Sequence, residues 1–536
     1  MPTKLSKPVS ASTKPTSTYD EVPYKSHPFQ QSHPSRLATI ARLFGLETAP
    51  ITASRILELG CASGGNLIPT AVHLPESTCV GVDLSQVQIT DGQAVIDRLQ
   101  LKNIELKHLN LNDFPDEAGE FDYIIAHGIY SWVPDSVQER IFEICEKHLS
   151  ENGVAYISYN TYPGWHMRGM IRDMMCYRTR NISQPTDSVR QARGLLDFLA
   201  QAVPTENNAY GIMLQNELRV LSDKEDYYLL HEHLEEHNDP VYFYQFNERA
   251  ESHGLRYLGE ADFGAMSLNH FSEAVRAMLR AVSSNAIEIE QYMDFVRNRM
   301  FRQTLLCRKG VNLKTQPDPF SLLGMSVSSG ARPEQTPVNL RANDQTKFRF
   351  RDSVMVTSDG LVKAAMLQLQ EAWPRNIPFR NLLAVAASQL TGEPSVVDAR
   401  SGSREALRLA EPMMRCFATG VVDISVQPSL FTTQVSDKPL ASPFARMQAT
   451  TENRVTNVLH ESVYLNDLQR QTIMLLDGNH TLEQIVDCLI DAVEEDRLML
   501  HDNAQPVSDP ARLRSILADR IPTVIQEIAR VALLMN

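Results

Sequence analysis

The segment Ile56-Leu57-Glu58-Leu59-Gly60-Cys61-Ala62-Ser63-Gly64-Gly65-Asn66, followed by Gly81-Val82-Asp83-Leu84-Ser85, constrains this chain more than any other feature. An apolar strand runs into an acid, a glycine turn and then a helix. A second strand ends in another acid, 23 residues after Gly60. Glycines let backbone approach a ligand without Cβ clashes. Open α/β sheets bind ligands outside the carboxyl ends of their strands, where Asp83 is expected to stand. A dinucleotide fingerprint would read G-x-G-x-x-G, but Ala62 takes its second glycine position. Glu58 is poorly placed beside a pyrophosphate. It suits a cofactor with a sulfonium and an α-amino group. The expectation is therefore an S-adenosylmethionine (SAM) site, with a dinucleotide site and a purely structural turn as alternatives.

Strand candidates at Arg55–Leu59, Thr78–Leu84, Ile104–Leu111, Phe121–His127 and Val154–Tyr159 alternate with helical stretches, which predicts a parallel sheet. The helix before the fifth has Asp135 as a candidate cap and Val137, Ile141, Ile144, Cys145 and Leu149 on one face. Residues 160–240 lose the β pattern and read as a helical insertion. A helix over 241–253 and strands at 255–259 and 301–308 then complete a Rossmann-like, seven-stranded sheet.

The expected organisation follows from this. Residues 1–18, rich in Lys, Pro, Ser and Thr, form a disordered tail. The SAM-binding core spans 19–310, with its insertion at about 160–240. Residues 311–345 are a Pro-, Ser-, Gly- and Asn-containing linker. A winged-helix-like unit occupies 346–440, with helices at 361–373 and 379–390 and a hairpin or wing at 421–435. A second, mostly α unit occupies 441–536, with helices at 465–476 and 482–493.

The 536 residues carry a formal charge of −14 and no Lys/Arg-rich run, so nucleic acid is not the expected partner. No apolar run approaches the ~18 residues of a membrane span. The seven cysteines are scattered without a C-x-x-C. That predicts reduced thiols, a cytoplasmic location and no structural zinc. His231, His233 and His237 offer no three-ligand face on one helix, so no metal is expected.

Candidate cofactor contacts are Tyr19 in an N-terminal lid, Glu58, Gly60 and Gly64. Asp83 is expected on the ribose, with Leu84 beside it. Asn112, Asp113 and Phe114 are candidates for adenine, against a helix cap with a hydrophobic staple as the plainer reading. The His127 carbonyl is a candidate for the cofactor's amino group. For an incoming amine the candidates are Tyr24, Trp132 and Tyr159; an aromatic face attracts a cation.

Tyr19-Asp20-Glu21-Val22-Pro23-Tyr24, Ser26-His27-Pro28-Phe29, His33-Pro34, the Glu58–Asn66 segment, Ser158-Tyr159-Asn160 and Tyr162-Pro163-Gly164-Trp165 together carry a resemblance. So do Asn238-Asp239-Pro240-Val241-Tyr242-Phe243 and Phe301–Cys307. The chain resembles class I methyltransferases with a methyltransferase regulatory domain, a group that includes rickettsial lysine methyltransferases of outer-membrane proteins. The resemblance spans about 19–310 and extends more loosely beyond. It implies SAM as cofactor, S-adenosylhomocysteine as product and a lysine-presenting protein as substrate, with a homodimer left open. A small-molecule O- or N-methyltransferase and a non-enzymatic SAM-binding scaffold are the competing readings.

Overall fold

A computed structural model describes residues 22, 24–341, 343–392, 404–502, 505–507 and 509–535. The expected tail and Tyr19 lie outside the described residues.

The sheet consists of β1 (Arg55–Leu59), β2 (Thr78–Asp83), β3 (Ile104–His108), β4 (Phe121–Ala126), β5 (Leu149–Asn160), β6 (Leu255–Glu260) and β7 (Phe301–Arg308). Their order is β3-β2-β1-β4-β5-β7-β6. The strands β1 to β5 pair in parallel, and β7 runs antiparallel to both neighbours. This is the expected Rossmann-like methyltransferase fold. Successive strand residues point to opposite faces, and both faces are apolar because helices cover both. Ile56, Tyr123, Ile125, Val154, Tyr156 and Leu305 fill one face, and Leu57, Leu59, Ile124, Ala126, Ala155, Ile157 and Leu306 the other. Helices α1 (Pro34–Leu43), α2 (Leu67–His73), α3 (Gln86–Leu99) and α4 (Asp135–His148) pack around the sheet.

The insertion is helical, as expected. Helices Trp165–Thr179, Pro185–Ala202 and Ala209–Ser222 build their own core from Ile171, Met175, Val189, Leu196, Leu214 and Leu221. Beneath it, Arg302 on β7 is fully buried. It pairs with Glu260 (2.6 Å), Asp294 (2.8 Å) and Glu290 (3.0 Å). Arg299 adds a second contact to Glu260 at 2.9 Å. The network ties the helix Ala286–Arg297 to the last two strands.

Beyond the sheet the structure departs from the sequence reading. Residues 311–345 are not a free linker: they contain a short helix at Pro319–Gly324 and strands Ser326–Ser328 and Arg332–Pro333. Leu322, Met325, Val327 and Ala331 are buried. The apolar residues of this stretch are spaced too irregularly to show a period, yet they are what packs against α1. The expected hairpin at 421–435 is a single short strand, Asp423–Ser425, paired with Ser326–Ser328. Helices Gly360–Ala372, Phe379–Thr391, Asp467–Leu475 and Leu482–Glu494 match expectation.

One hydrophobic cluster runs from Leu37, Ala41 and Ile56 through Leu322 and Val327 to Leu361, Leu383, Leu409 and Val421. Polar contacts reinforce it: Arg36 pairs with Asp423 at 2.9 Å, and the Val426 amide donates to Thr39 Oγ1 at 3.1 Å. The two halves thus share a core. Exposing a buried Leu, Val or Met costs about 1.5–3 kcal/mol, so uncovering several would exceed the ~5–15 kcal/mol that keeps a domain folded. A chain ending at Lys309 is therefore expected to aggregate on size-exclusion chromatography; a monodisperse, folded fragment would show that the halves have separable cores.

Candidate functional site

The strand order reverses between β1 and β4, which opens a crevice at their carboxyl ends. Gly60 and Gly64 turn the chain there with φ of +72° and +76°. A Cβ on Gly60 would lie 2.3 Å from Ile129 Cγ2, so no larger residue fits. Asp83 ends β2. Its two oxygens accept from the Ala62 amide (2.8 Å) and the Ser85 amide (2.9 Å), which fixes the carboxylate at the crevice edge. Leu84, next in the chain, is 58% exposed, an apolar surface beside an acid.

Glu58 is buried, and desolvation pushes its pKa up to about 8. One carboxyl oxygen accepts from Asn66 Nδ2 at 2.8 Å; the other is buried without a hydrogen-bond partner among the described residues. An acid with a buried, unmatched oxygen suits a cationic ligand group, because a nearby positive charge favours the ionised form. The donor set therefore fits SAM: Asp83 for ribose hydroxyls, Leu84 for a base face, and Glu58 for the ammonium.

The other expected contacts divide. The His127 ring stacks at 3.7 Å centroid distance on Phe29 and bonds through Nδ1 to Tyr156 Oη at 2.8 Å. Desolvation pushes its pKa down to about 4, so it is neutral. Asn112 and Asp113 are exposed on the turn after β3. Phe114 does not share that surface: it is buried against His148, with ring centroids 5.2 Å apart. The apolar ring is drawn into the core at the carboxyl end of the turn Leu111–Asp113.

Of the aromatic candidates, Tyr24 lies between α3 and the insertion. Its carbonyl accepts from Gln88 Nε2 (2.8 Å), and its ring meets Tyr227 edge-on at 5.5 Å. Burial raises the Tyr24 pKa to about 12. Trp132 is half-buried at the tip of β4, edge-on to Trp165 at 6.5 Å. Tyr159 is 1% exposed, stacked on Phe246 at 4.0 Å and bonded to Thr304 at 3.1 Å. Strand alternation turns it into the core, so it does not line an open channel. His231 bonds to Glu235 (2.7 Å) and the Val22 carbonyl (2.8 Å), and His233 to Glu217 (3.1 Å). These are structural pairings.

Residues without an assigned role in the sequence reading complete the site. Ser26 Oγ accepts from the Gly65 amide at 2.8 Å, and the Phe29 amide donates to Asn66 Oδ1 at 2.9 Å. The N-terminal segment therefore lies across the glycine loop. Asn66 heads α2 but does not cap it; its side chain is turned to Glu58 instead. An Asn at a helix start that leaves the cap unmade is visible only once the structure is known.

Comparison with known proteins agrees with this geometry. Residues 56–153 match the family model "Methyltransferase domain", 225–308 the "Predicted methyltransferase regulatory domain", and 437–533 the "PKMT, C-terminal winged helix domain". The matched winged-helix model thus falls on the second C-terminal unit. The uncharacterized protein RP789 of Rickettsia prowazekii is 34% identical over 96% of this chain and 93% of its own length. The uncharacterized protein sll1526 of Synechocystis is 26% identical over 55% of this chain and 59% of its own. The structure of PKMT2 from Rickettsia typhi in complex with AdoHcy superposes with a TM-score of 0.84 at 29% identity, covering 96% of this chain and 100% of that one. A site built for SAM, a full-length relative and three matched models together place the chain in the family of SAM-dependent class I methyltransferases that carry the methyltransferase regulatory domain and the PKMT winged-helix domain.

Proposed function

We propose that the chain methylates lysine side chains of a protein. The observation that carries this reading is its full-length likeness, winged helix included, to PKMT2 of Rickettsia typhi. A pocket alone would serve a small acceptor. SAM supplies an electrophilic methyl group, so the protein's work is to hold donor and acceptor in line and keep water out. Asp83 takes the ribose hydroxyls, Glu58 the α-ammonium, and Leu84 with Asn112 and Asp113 the adenine. The backbone at His127 and the glycine loop from Gly60 to Gly64 close the methionine end.

The acceptor amine must be neutral before it attacks. A free lysine has a pKa of ~10.4, and an apolar, aromatic mouth lowers it by desolvation. Tyr24 and Trp132 form that mouth. With a pKa near 12, Tyr24 stays protonated and orients the amine by hydrogen bonding instead of removing its proton. Tyr159 supports the wall from within the core.

Replacing Asp83 by Ala leaves two ribose hydroxyls without a charged partner, about 1.5–3 kcal/mol. Titration calorimetry is expected to show SAM affinity reduced roughly ten- to a hundred-fold, with the circular dichroism spectrum unchanged. Unaltered affinity would remove Asp83 from the site.

Glu58 gives a pH signature. With its pKa raised to about 8, it is protonated in the empty site at pH 6.5. A bound ammonium lowers that pKa, so binding releases a proton, and affinity rises with pH until about 8. Calorimetry in buffers of different ionisation heat is expected to detect this proton, and Glu58→Gln to abolish it. Equal proton release from both proteins would assign it elsewhere.

Incubation of the full chain with isotopically labelled SAM and bacterial lysate is expected to label protein. Peptide mass spectrometry is expected to find the label on lysine. Label confined to small molecules, or to base-labile carboxyl esters, would favour the competing acceptors.

A further inference from the structure

The winged-helix unit places His460 against the cofactor crevice. His460 lies on the turn between strands Arg454–Thr456 and Ser462–Tyr464, with φ of +62°, a conformation that L-residues seldom adopt. It is buried, and its Nε2 lies 2.7 Å from Asn66 Oδ1. That Asn66 oxygen already accepts from the Phe29 amide, so it is an acceptor and His460 Nε2 must carry the proton. The opposite side of the same amide donates to Glu58 Oε1 at 2.8 Å and to Ser32 Oγ at 3.1 Å. Among the described residues His460 Nδ1 has no hydrogen-bond partner, and the imidazole bonds to Asn66 through Nε2. The strained turn, the fixed tautomer and the amide orientation are mutually consistent.

We propose that His460 is a positioning residue for the cofactor site, acting through Asn66 to hold Glu58, so that the C-terminal winged helix forms part of the SAM-binding machinery. This rests on the reading of Glu58 as a contact to the cofactor's ammonium. Two physical effects act together. Pinning the Asn66 oxygen prevents the amide from rotating away from Glu58. Accepting a hydrogen bond at that oxygen also polarises the amide, and hydrogen bonds in a chain strengthen one another in a low-dielectric interior. The relay makes SAM affinity depend on the seating of the C-terminal unit, and by linkage SAM binding strengthens that seating.

The test uses the full-length protein and SAM titration calorimetry. His460→Leu removes the donor while keeping bulk. It is expected to weaken SAM binding about tenfold, the scale of coupling within one hydrogen-bond network. His460→Gln, whose amide can donate from a similar reach, is expected to restore most of the loss. His460→Asn, which is too short to reach Asn66, is expected not to. In kinetics the loss is expected in the KM for SAM more than in kcat. In a Glu58→Gln background, His460→Leu is expected to add little.

Wild-type affinity in His460→Leu, equal effects of Gln and Asn, or undiminished loss in the Glu58→Gln background would each overturn the relay. If Glu58→Gln itself binds SAM normally, the cofactor role of Glu58 fails instead, and the two failures are distinguishable. Should the Leu variant not fold, the contrast between the Gln and Asn variants decides the matter.

Discussion

The carboxamide of Asn66 accepts from the Phe29 amide and His460 and donates to Glu58 and Ser32. Three separate parts of the chain meet on one side chain: the N-terminal cover from Phe29 to Ser32, the first strand and the winged-helix turn. An amide has two donors and two lone pairs, so all its capacity is used. Because the site is buried, leaving any of these groups unmatched is costly. The cofactor crevice is consequently finished only when sequence-distant segments have docked. Without the N-terminal segment and the winged-helix turn, the Asn66 oxygen loses the two donors that keep its amide turned toward Glu58.

Glu58 and the Arg302 network show two ways of burying acids. Around Arg302, the carboxylates of Glu260, Glu290 and Asp294 meet two guanidinium groups. Glu260 is held below the usual carboxylate range by Arg302 and Arg299, despite its burial. The surplus acid is absorbed by Glu290, which desolvation pushes up to about 7. Arg302 also lies 3.8 Å from the Phe243 ring centroid. That cluster is internally matched, which fits a structural role in clamping the late strands. Among the described residues Glu58 has one donor, no paired cation and an oxygen without a partner. A buried acid left half-satisfied is an expensive feature, and a cationic ligand relieves it. The contrast lies in hydrogen-bond completion, not in depth of burial.

The sheet and its crevice were legible because short-range signals define them. Strand alternation, the glycine turn and Asp83 at a strand end are all local. For Phe114, an aromatic after a strand serves a pocket or a staple equally well in sequence; its burial against His148 depends on packing that no local pattern reports. Tyr159 failed as a channel residue for a similar reason, since the parity of a strand residue cannot be assigned to a face when both faces are apolar. Residues 311–345 read as a linker because Pro, Ser, Gly and Asn recur in them with little periodicity. Apolar residues among them, including Leu322, Met325 and Val327, bury against partners remote in sequence, which no local pattern reports. His460 lies 394 residues from Asn66, so its role was invisible until the chain was folded.

The winged-helix unit makes little use of the surface by which such units read DNA. The helix Leu482–Glu494 contains no Lys or Arg and exposes Glu483, Asp491 and Glu494. Phosphate backbones require basic side chains there, and acids repel them. Its apolar face instead closes a core with the long helix Pro510–Arg530 through Ile485, Leu489, Leu517, Ile521 and Ile525. Contacts that reach the catalytic half include the β-turn at His460, Arg454 on the strand before it, which donates to His27 at 3.1 Å, and Ser442, whose hydroxyl lies 3.0 Å from His73 Nε2. His33, His73 and His460 are all kept neutral by burial at this junction. Neutral imidazoles can serve as donors and acceptors without importing charge beside Glu58. Arg454, on the strand leading into the His460 turn, donates to His27 and not to Glu58. Among the described residues Glu58 is left without a basic partner, the state that a cationic ligand relieves.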